Sequence, residues 1–253
     1  MIDLIAYGDE PELALLLESA SRAAVYPATG AAFTARTGTT LTSLYLFNEA
    51  SGDVLDKVGA NNLTTVNTPT YAYAYQGRTG IHYDGDTDAH RADVLALGTG
   101  SGLYGAVIRK TGDTTAARNI VQRTNGSNDP CVILNFAVTS GNPQIIVRDA
   151  GTNALLVDGA TFAGDTTSLL LAMVQIDKST DTARALVTDG RQLLELSGSI
   201  AGFGSLDGTS QTFGFGNRVQ LGQTAAFYGF AVVGAGAEGS SRLRDIARGL
   251  GWL

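Results

Sequence analysis

Residues 168–190 read SLLLAMVQIDKSTDTARALVTDG. Two short apolar runs, Ser168–Asp177 and Thr182–Thr188, are separated by Asp177-Lys-Ser-Thr-Asp181 and closed by Asp189-Gly190. Asp, Ser and Gly are turn residues, and Asp-Gly is favoured where a hairpin needs positive φ at its centre. The stretch therefore predicts two β-hairpins in succession. The same rhythm extends in both directions. Ser43–Asn48, Gly80–Tyr83, Leu103–Arg109, Asn119–Arg123, Val132–Val138, Gln144–Asp149, Phe213–Gly216 and Ala225–Val233 are further candidate strands, each bounded by Gly, Asn, Asp or Ser,. Strands do not alternate with crossover helices, which argues against a parallel α/β fold, and a mainly antiparallel, all-β sandwich is expected.

Composition agrees. Hydrophobic residues make up 44% of the 253, charged residues only 16%, and there are 32 glycines, the profile of many short strands joined by tight turns. A net charge of -7 argues against a phosphate-binding surface, and nucleic acid is not an expected partner. No segment reaches the roughly 20 apolar residues that span a bilayer, and the opening MIDLIAYGDEPE is acidic where a secretion signal would be basic,. No membrane partner and no cleaved export signal are expected. The single cysteine, Cys131, is flanked by Val132 and Ile133 and reads as a small buried apolar residue,.

The ends differ from the body. Over Asp9–Val25, Leu13, Leu16, Leu17 and Ala20 recur at helical spacing, with Asp9 as cap, Glu12 three residues on and Pro11 in the first turn,. Pro27 and Gly30 stop that helix, and the run Pro27–Thr42 reads as an extended connector. Residues 1–40 are thus expected to form a helical leader and connector, an anchor or assembly segment, with the sandwich over 41–253. A helix this short needs a partner for its apolar face, so Leu13, Leu16, Leu17 and Ala20 are candidate assembly residues. A short helix capped by Ser240 or Ser241 closes the chain through Leu243 and Ile246,.

Several segments, in order, resemble the laminin G-like or concanavalin A-like jelly-roll family. Leu44-Tyr-Leu-Phe-Asn-Glu-Ala-Ser-Gly52 is similar to its opening strand and acidic turn, and Asp56-Lys-Val-Gly-Ala-Asn-Asn-Leu-Thr64 to the D-x-x-G-x-N turn that follows. Ile81-His-Tyr-Asp-Gly85 resembles the F-D-G strand end. Leu170–Asp177 with Ala183–Gly190 resembles the paired central strands ending in Y-x-D-G, though Thr188 stands where an aromatic residue is usual. Phe227–Val233, followed by the terminal helix, is similar to the closing G-x-I-x-x-V strand. The resemblance covers most of 41–253 and implies a jelly roll that binds or displays, as in bacteriophage virion surface proteins.

Three clusters invite chemistry. Asp84, Asp86 and Asp88 alternate and could ligate calcium, with Asn61 or Asn62 as partners; Ala89 and Leu95 stand where an EF-hand needs Gly and Glu,, so a plain polar turn is the other reading. Tyr71, Tyr73 and Tyr75 fall at period two, which would place three rings on one face of an extended segment. Such a row could pack on the core, join subunits or stack on a glycan. No E-x-D-x-x-E carboxylate strand, G-x-S-x-G elbow or phosphate loop is present; Glu49 with Asp53 reads as a turn, and His82 and His90 are too few for a three-histidine metal centre,. The expected function is accordingly non-enzymatic and free of cofactors apart from calcium. The sequence reads as a virion surface protein, a head decoration, spike or tail appendage, that is held by a capsid or tail scaffold. It is expected to be a homo-oligomer, a trimer by analogy, with a host-surface glycan as its target. The alternatives are a stand-alone extracellular lectin and, behind it, a polysaccharide hydrolase.

Overall fold

The computed structural model describes residues 24–83, 88–93, 100–111, 118–124, 130–137, 141–160, 168–207, 212–216, 224–233 and 242–253. Two antiparallel sheets face each other. The first contains, in order, β13 (Leu193–Ser199), β12 (Thr182–Thr188), β11 (Leu169–Asp177), β6 (Gly102–Lys110), β15 (Thr224–Val233), β4 (Arg78–Tyr83) and β3 (Thr70–Tyr75), with β1 (Ser43–Tyr45) also paired to β15. The second runs β10 (Ala154–Asp158), β9 (Pro143–Arg148), β8 (Cys131–Phe136), β7 (Arg118–Thr124), β14 (Thr212–Gly216), β5 (Ala89–Asp93) and β2 (Thr64–Val66). Every expected strand is present. Four further strands, β2, β5, β10 and β13, were not among those expected; β2 and β5 are short and mixed in sequence, as in Ala89-His-Arg-Ala-Asp93.

Two cores result, because the first sheet is apolar on both faces. On β11, Leu170, Ala172, Val174 and Ile176 point between the sheets, where they meet Tyr45, Phe47, Phe213 and Phe215. Leu169, Leu171 and Met173 point the other way. By contrast, β9 alternates buried and half-buried residues and β10 half-buried and exposed ones, as expected of strands with one covered face,. Val174 pairs with Ala185 and Met173 with Leu186, so Leu186 lies on the outer face and not, like Val174, between the sheets.

Two helices cover that outer face. The run expected as an extended connector contains α1 (Gly30–Thr37): the Thr29 hydroxyl accepts from the Ala32 amide at its start, and Gly38, at φ 67°, ends it by donating to the Thr34 carbonyl. A capping threonine before and a left-handed glycine after are ordinary helix signals, here masked by a Thr- and Ala-rich sequence. The second helix is α2 (Arg242–Gly249). Phe33 of α1 packs on Phe230 with ring centroids 5.0 Å apart, and Leu243 and Ile246 of α2 join the same cluster. Residues 24–29 run alongside as a strap, in which the Val25 amide donates to the Leu250 carbonyl and the Tyr228 hydroxyl to the Pro27 carbonyl. The leader helix expected over Asp9–Val25, with Leu13, Leu16, Leu17 and Ala20, lies outside the described residues up to position 23; Ala24 and Val25 are not helical. The Ser240 or Ser241 cap also lies outside them.

The hairpin turns differ in detail from expectation. Thr188 pairs with Leu193, so the loop after β12 has four residues, and only Gly190 within it has positive φ, at 86°. Asp189 closes this loop by accepting from the Arg191 and Gln192 amides.

Val174→Ala and Leu186→Ala should each destabilise the protein by about 2–4 kcal/mol in urea titrations, since both residues are fully buried though in different cores,. A chain beginning at Leu41 should melt well below one beginning at Ala24, because it uncovers Phe230 and Tyr228.

Candidate functional site

The tyrosine row is split by a backbone irregularity. Ala72 has φ 54°, and the register of β3 against β4 shifts between Thr70 and Tyr73. That bulge turns Tyr71 towards the inner core and leaves Tyr73 and Tyr75 on the outer one. The three rings therefore do not share a face. The Tyr71 hydroxyl donates to the Gly52 carbonyl, Tyr73 stacks on His82 at 4.9 Å and accepts from Arg109, and the Arg109 guanidinium covers the Tyr75 ring at 4.0 Å. All three partly pack against the protein's own cores.

Asp84 and Asp86 lie outside the described residues, while Asp88 is buried and accepts from the Thr68 amide. Asn61 and Asn62 belong to a turn organised by Asp56, which accepts from the backbone amides of Leu44, Val58, Gly59 and Asn61. The D-x-x-G-x-N segment is thus a carboxylate-centred turn whose asparagines hold the chain: Asn62 accepts from the Asp56 amide and Asn61 donates to Ser43. Among the described residues no group of His, Cys, Asp and Glu is arranged to hold a metal.

A concave site exists elsewhere, at the edge of the outer cover. Five distant segments converge there: the strap at Ala24 and Tyr26, the β3–β4 hairpin at Gln76 and Arg78, the start of β11 at Ser168 and Leu169, the loop at Asp189–Arg191, and the tail at Gly251 and Trp252. They enclose a cleft of about 550 Å³, within the range usual for small-ligand sites. A second cleft of about 460 Å³ shares Gly190, Arg191 and Trp252 with it and opens towards Arg244 and Arg248.

Local rules place each lining residue. The two-residue turn Gln76-Gly77 has positive φ at both positions, 47° and 72°, which joins β3 to β4 tightly and presents Gln76 and Arg78 together. Arg78 lies over the Tyr26 ring at 3.4 Å and donates to the Ala24 carbonyl. Burial pushes the Tyr26 hydroxyl up to about 12, against the opposing pull of Arg78, so it stays a neutral donor. Gly251, at φ 77°, ends α2: its amide donates to the Arg248 carbonyl and that of Trp252 to Ala247, the paired bonds of a Schellman cap,. Trp252 is thereby folded back and 94% buried by its 6% exposure. Its indole N–H has no hydrogen-bond partner among the described residues. Sequence reasoning missed this site because none of its segments is a motif.

No protein-family model matches the chain, and no curated protein does. Solved structures do match. The binding domain of botulinum neurotoxin serotype D superposes with a TM-score of 0.62 at 10% identity, over 86% of this chain and 52% of that one. A structure described by the dependence of botulinum neurotoxin type C cell entry on two ganglioside molecules gives 0.57 at 6%, over 87% and 53%. A family 40 carbohydrate-binding module of a Ruminococcus gnavus intramolecular trans-sialidase, bound to α2,3-sialyllactose, gives 0.50 at 14%, over 67% and 95%. The fold is an antiparallel jelly-roll sandwich. At such identities the likeness is one of fold, and the chain spans about half the length of the toxin domains.

A buried polar cluster lies apart from the cleft. His90 is fully buried; its Nδ1 is 3.1 Å from the Tyr83 hydroxyl, and its Nε2 is 3.1 Å from both the Gly52 carbonyl and the Tyr71 hydroxyl. The tautomer with hydrogen on Nε2 fits, donating to Gly52 and accepting from Tyr83. Desolvation lowers the His90 pKa from 6.5, outweighing Gly52, Glu49 and Asp53, which raise it. The ring has no open side for a substrate. Since the unfolded chain binds this proton more readily, the stability contributed by neutral His90 is complete above about pH 6.5 and is lost as pH falls below it towards the depressed folded value,. Urea titrations between about pH 7.5 and about pH 5 should show this loss, and His90→Gln should flatten the slope over that window.

Proposed function

We propose that this chain is a non-catalytic, laminin G-like carbohydrate-binding module whose site is the paired cleft around Trp252. The observation that carries the reading is the lining itself. Aromatic rings, the amide of Gln76 and fixed guanidinium groups converge in one concave seam of a rigid sandwich, the combination that recognises hydroxyl-rich ligands. The fold neighbours support it, two of them being described with sialyllactose or gangliosides. A hydrolase needs two carboxyl groups facing one bond, whereas among the described residues Asp189 is the single acidic side chain lining the two clefts, and its Oδ1 already holds two amides. That supports binding without turnover. The same shortage predicts that binding does not require calcium. The setting we propose is the surface of a virus particle, and probing purified particle fractions for the protein tests it.

On a glycan array the protein should bind in the presence of EDTA as well as of calcium. Gln76→Ala and the cleft-filling Ser168→Tyr should each weaken binding by about tenfold or more without lowering the melting temperature. Release of sugars from any bound glycan would refute the non-catalytic reading.

A further inference from the structure

We infer that the two clefts form one continuous site for an acidic oligosaccharide, a carboxylated or sulfated chain, with Arg191 as its principal anion contact. This rests on the carbohydrate-binding reading and adds the class of sugar. Among the described residues, the first cleft is lined by Arg78 and Arg191 against Asp189, and the second by Arg191, Arg244 and Arg248 with no acidic side chain. In a protein of net charge -7, a cleft with more guanidinium groups than carboxylates favours anions.

The four cations are not equivalent. Arg244 is held by Glu195 in a two-pronged ion pair, which keeps Glu195 below the usual carboxylate range. Arg248 faces Asp245 at 3.5 Å. Arg78 is committed to the Tyr26 ring and the Ala24 carbonyl. Arg191 is exposed and, among the described residues, its guanidinium makes no hydrogen bond or ion pair. It stands at the junction of the clefts, on a loop fixed by Asp189, and its planar fork suits a carboxylate or sulfate. Clefts of about 550 and 460 Å³ that share three residues accommodate a chain of about two or more sugars rather than a single one.

The test is calorimetry of the full chain with four probes in two pairs: a uronate-containing tetrasaccharide and its carboxyl-reduced neutral counterpart, and a sulfated tetrasaccharide and its desulfated form. Either acidic form should bind at least about tenfold more tightly than its neutral partner, and the difference should shrink as salt rises; which acid wins names the group. Arg191→Gln should erase that preference, while Lys57→Gln, at a cation outside both clefts, should not. Equal affinity for neutral and acidic forms would overturn the inference and leave the carbohydrate reading standing. Absence of binding to every glycan would overturn both. Equal binding of inorganic polyphosphate would mark a general polyanion surface and overturn the inference as well.

Discussion

A sheet that is apolar on both faces must be covered twice, and the rest of this structure follows from that requirement. In β11 the residues Leu170, Ala172, Val174 and Ile176 are buried by the second sheet, while Leu169, Leu171 and Met173 need another partner. At roughly 1.5–3 kcal/mol for each fully buried large aliphatic side chain, leaving the outer row in water would remove much of what stabilises a domain of marginal stability. The second cover is assembled from both ends of the described chain, α1 with its strap and α2 with its tail. Both ends are therefore structural, and the hydrogen bond from Val25 to Leu250 ties them to each other.

The candidate site is a consequence of how that cover ends. Helices and strap cover the outer face between the β3–β4 hairpin, at one edge of the sheet, and the loop after β12, near the other, and the cleft is lined by residues of the strap, the tail, the hairpin and that loop. Such a seam is concave without any segment being dedicated to it. Its polar groups are those that long side chains bring when they shield a core edge, with the Arg78 guanidinium lying over the Tyr26 ring,. The site is also preorganised, since each lining residue is set by a turn or cap that the fold already needs.

This explains what the sequence could and could not disclose. The central strands were legible because each is a compact apolar run between turn residues, and the Asp56 turn because its motif is contiguous. Helix α1 was hidden: its caps, Thr29 and Gly38, are visible, but Thr, Ala and Gly between them resemble a connector, and the helix exists because Phe33 finds Phe230. The tyrosine row followed the period-two rule up to the point where Ala72 adopts positive φ, which no alternation of side chains reveals. The cleft was illegible for a different reason. Residues 26, 78, 191 and 252 meet only once topology has joined strands far apart in the chain.

The many carboxylates, which invite a metal or acid-base reading, have another occupation. Asp56 accepts four backbone amides, and Asp149 accepts from Gly151, Asn153 and Gly204, bonds that hold it below the usual carboxylate range. Burial pushes Asp177 the other way, but the hydrogen bonds of Ser179 and Thr180 outweigh it and leave it lowered too. A carboxylate committed to amides in this way is a poor proton donor near neutral pH and has few lone pairs left for a cation. These carboxylates are turn chemistry and do not oppose a cationic cleft: they are fixed in their own turns, while Arg78, Arg191, Arg244 and Arg248 line the two clefts.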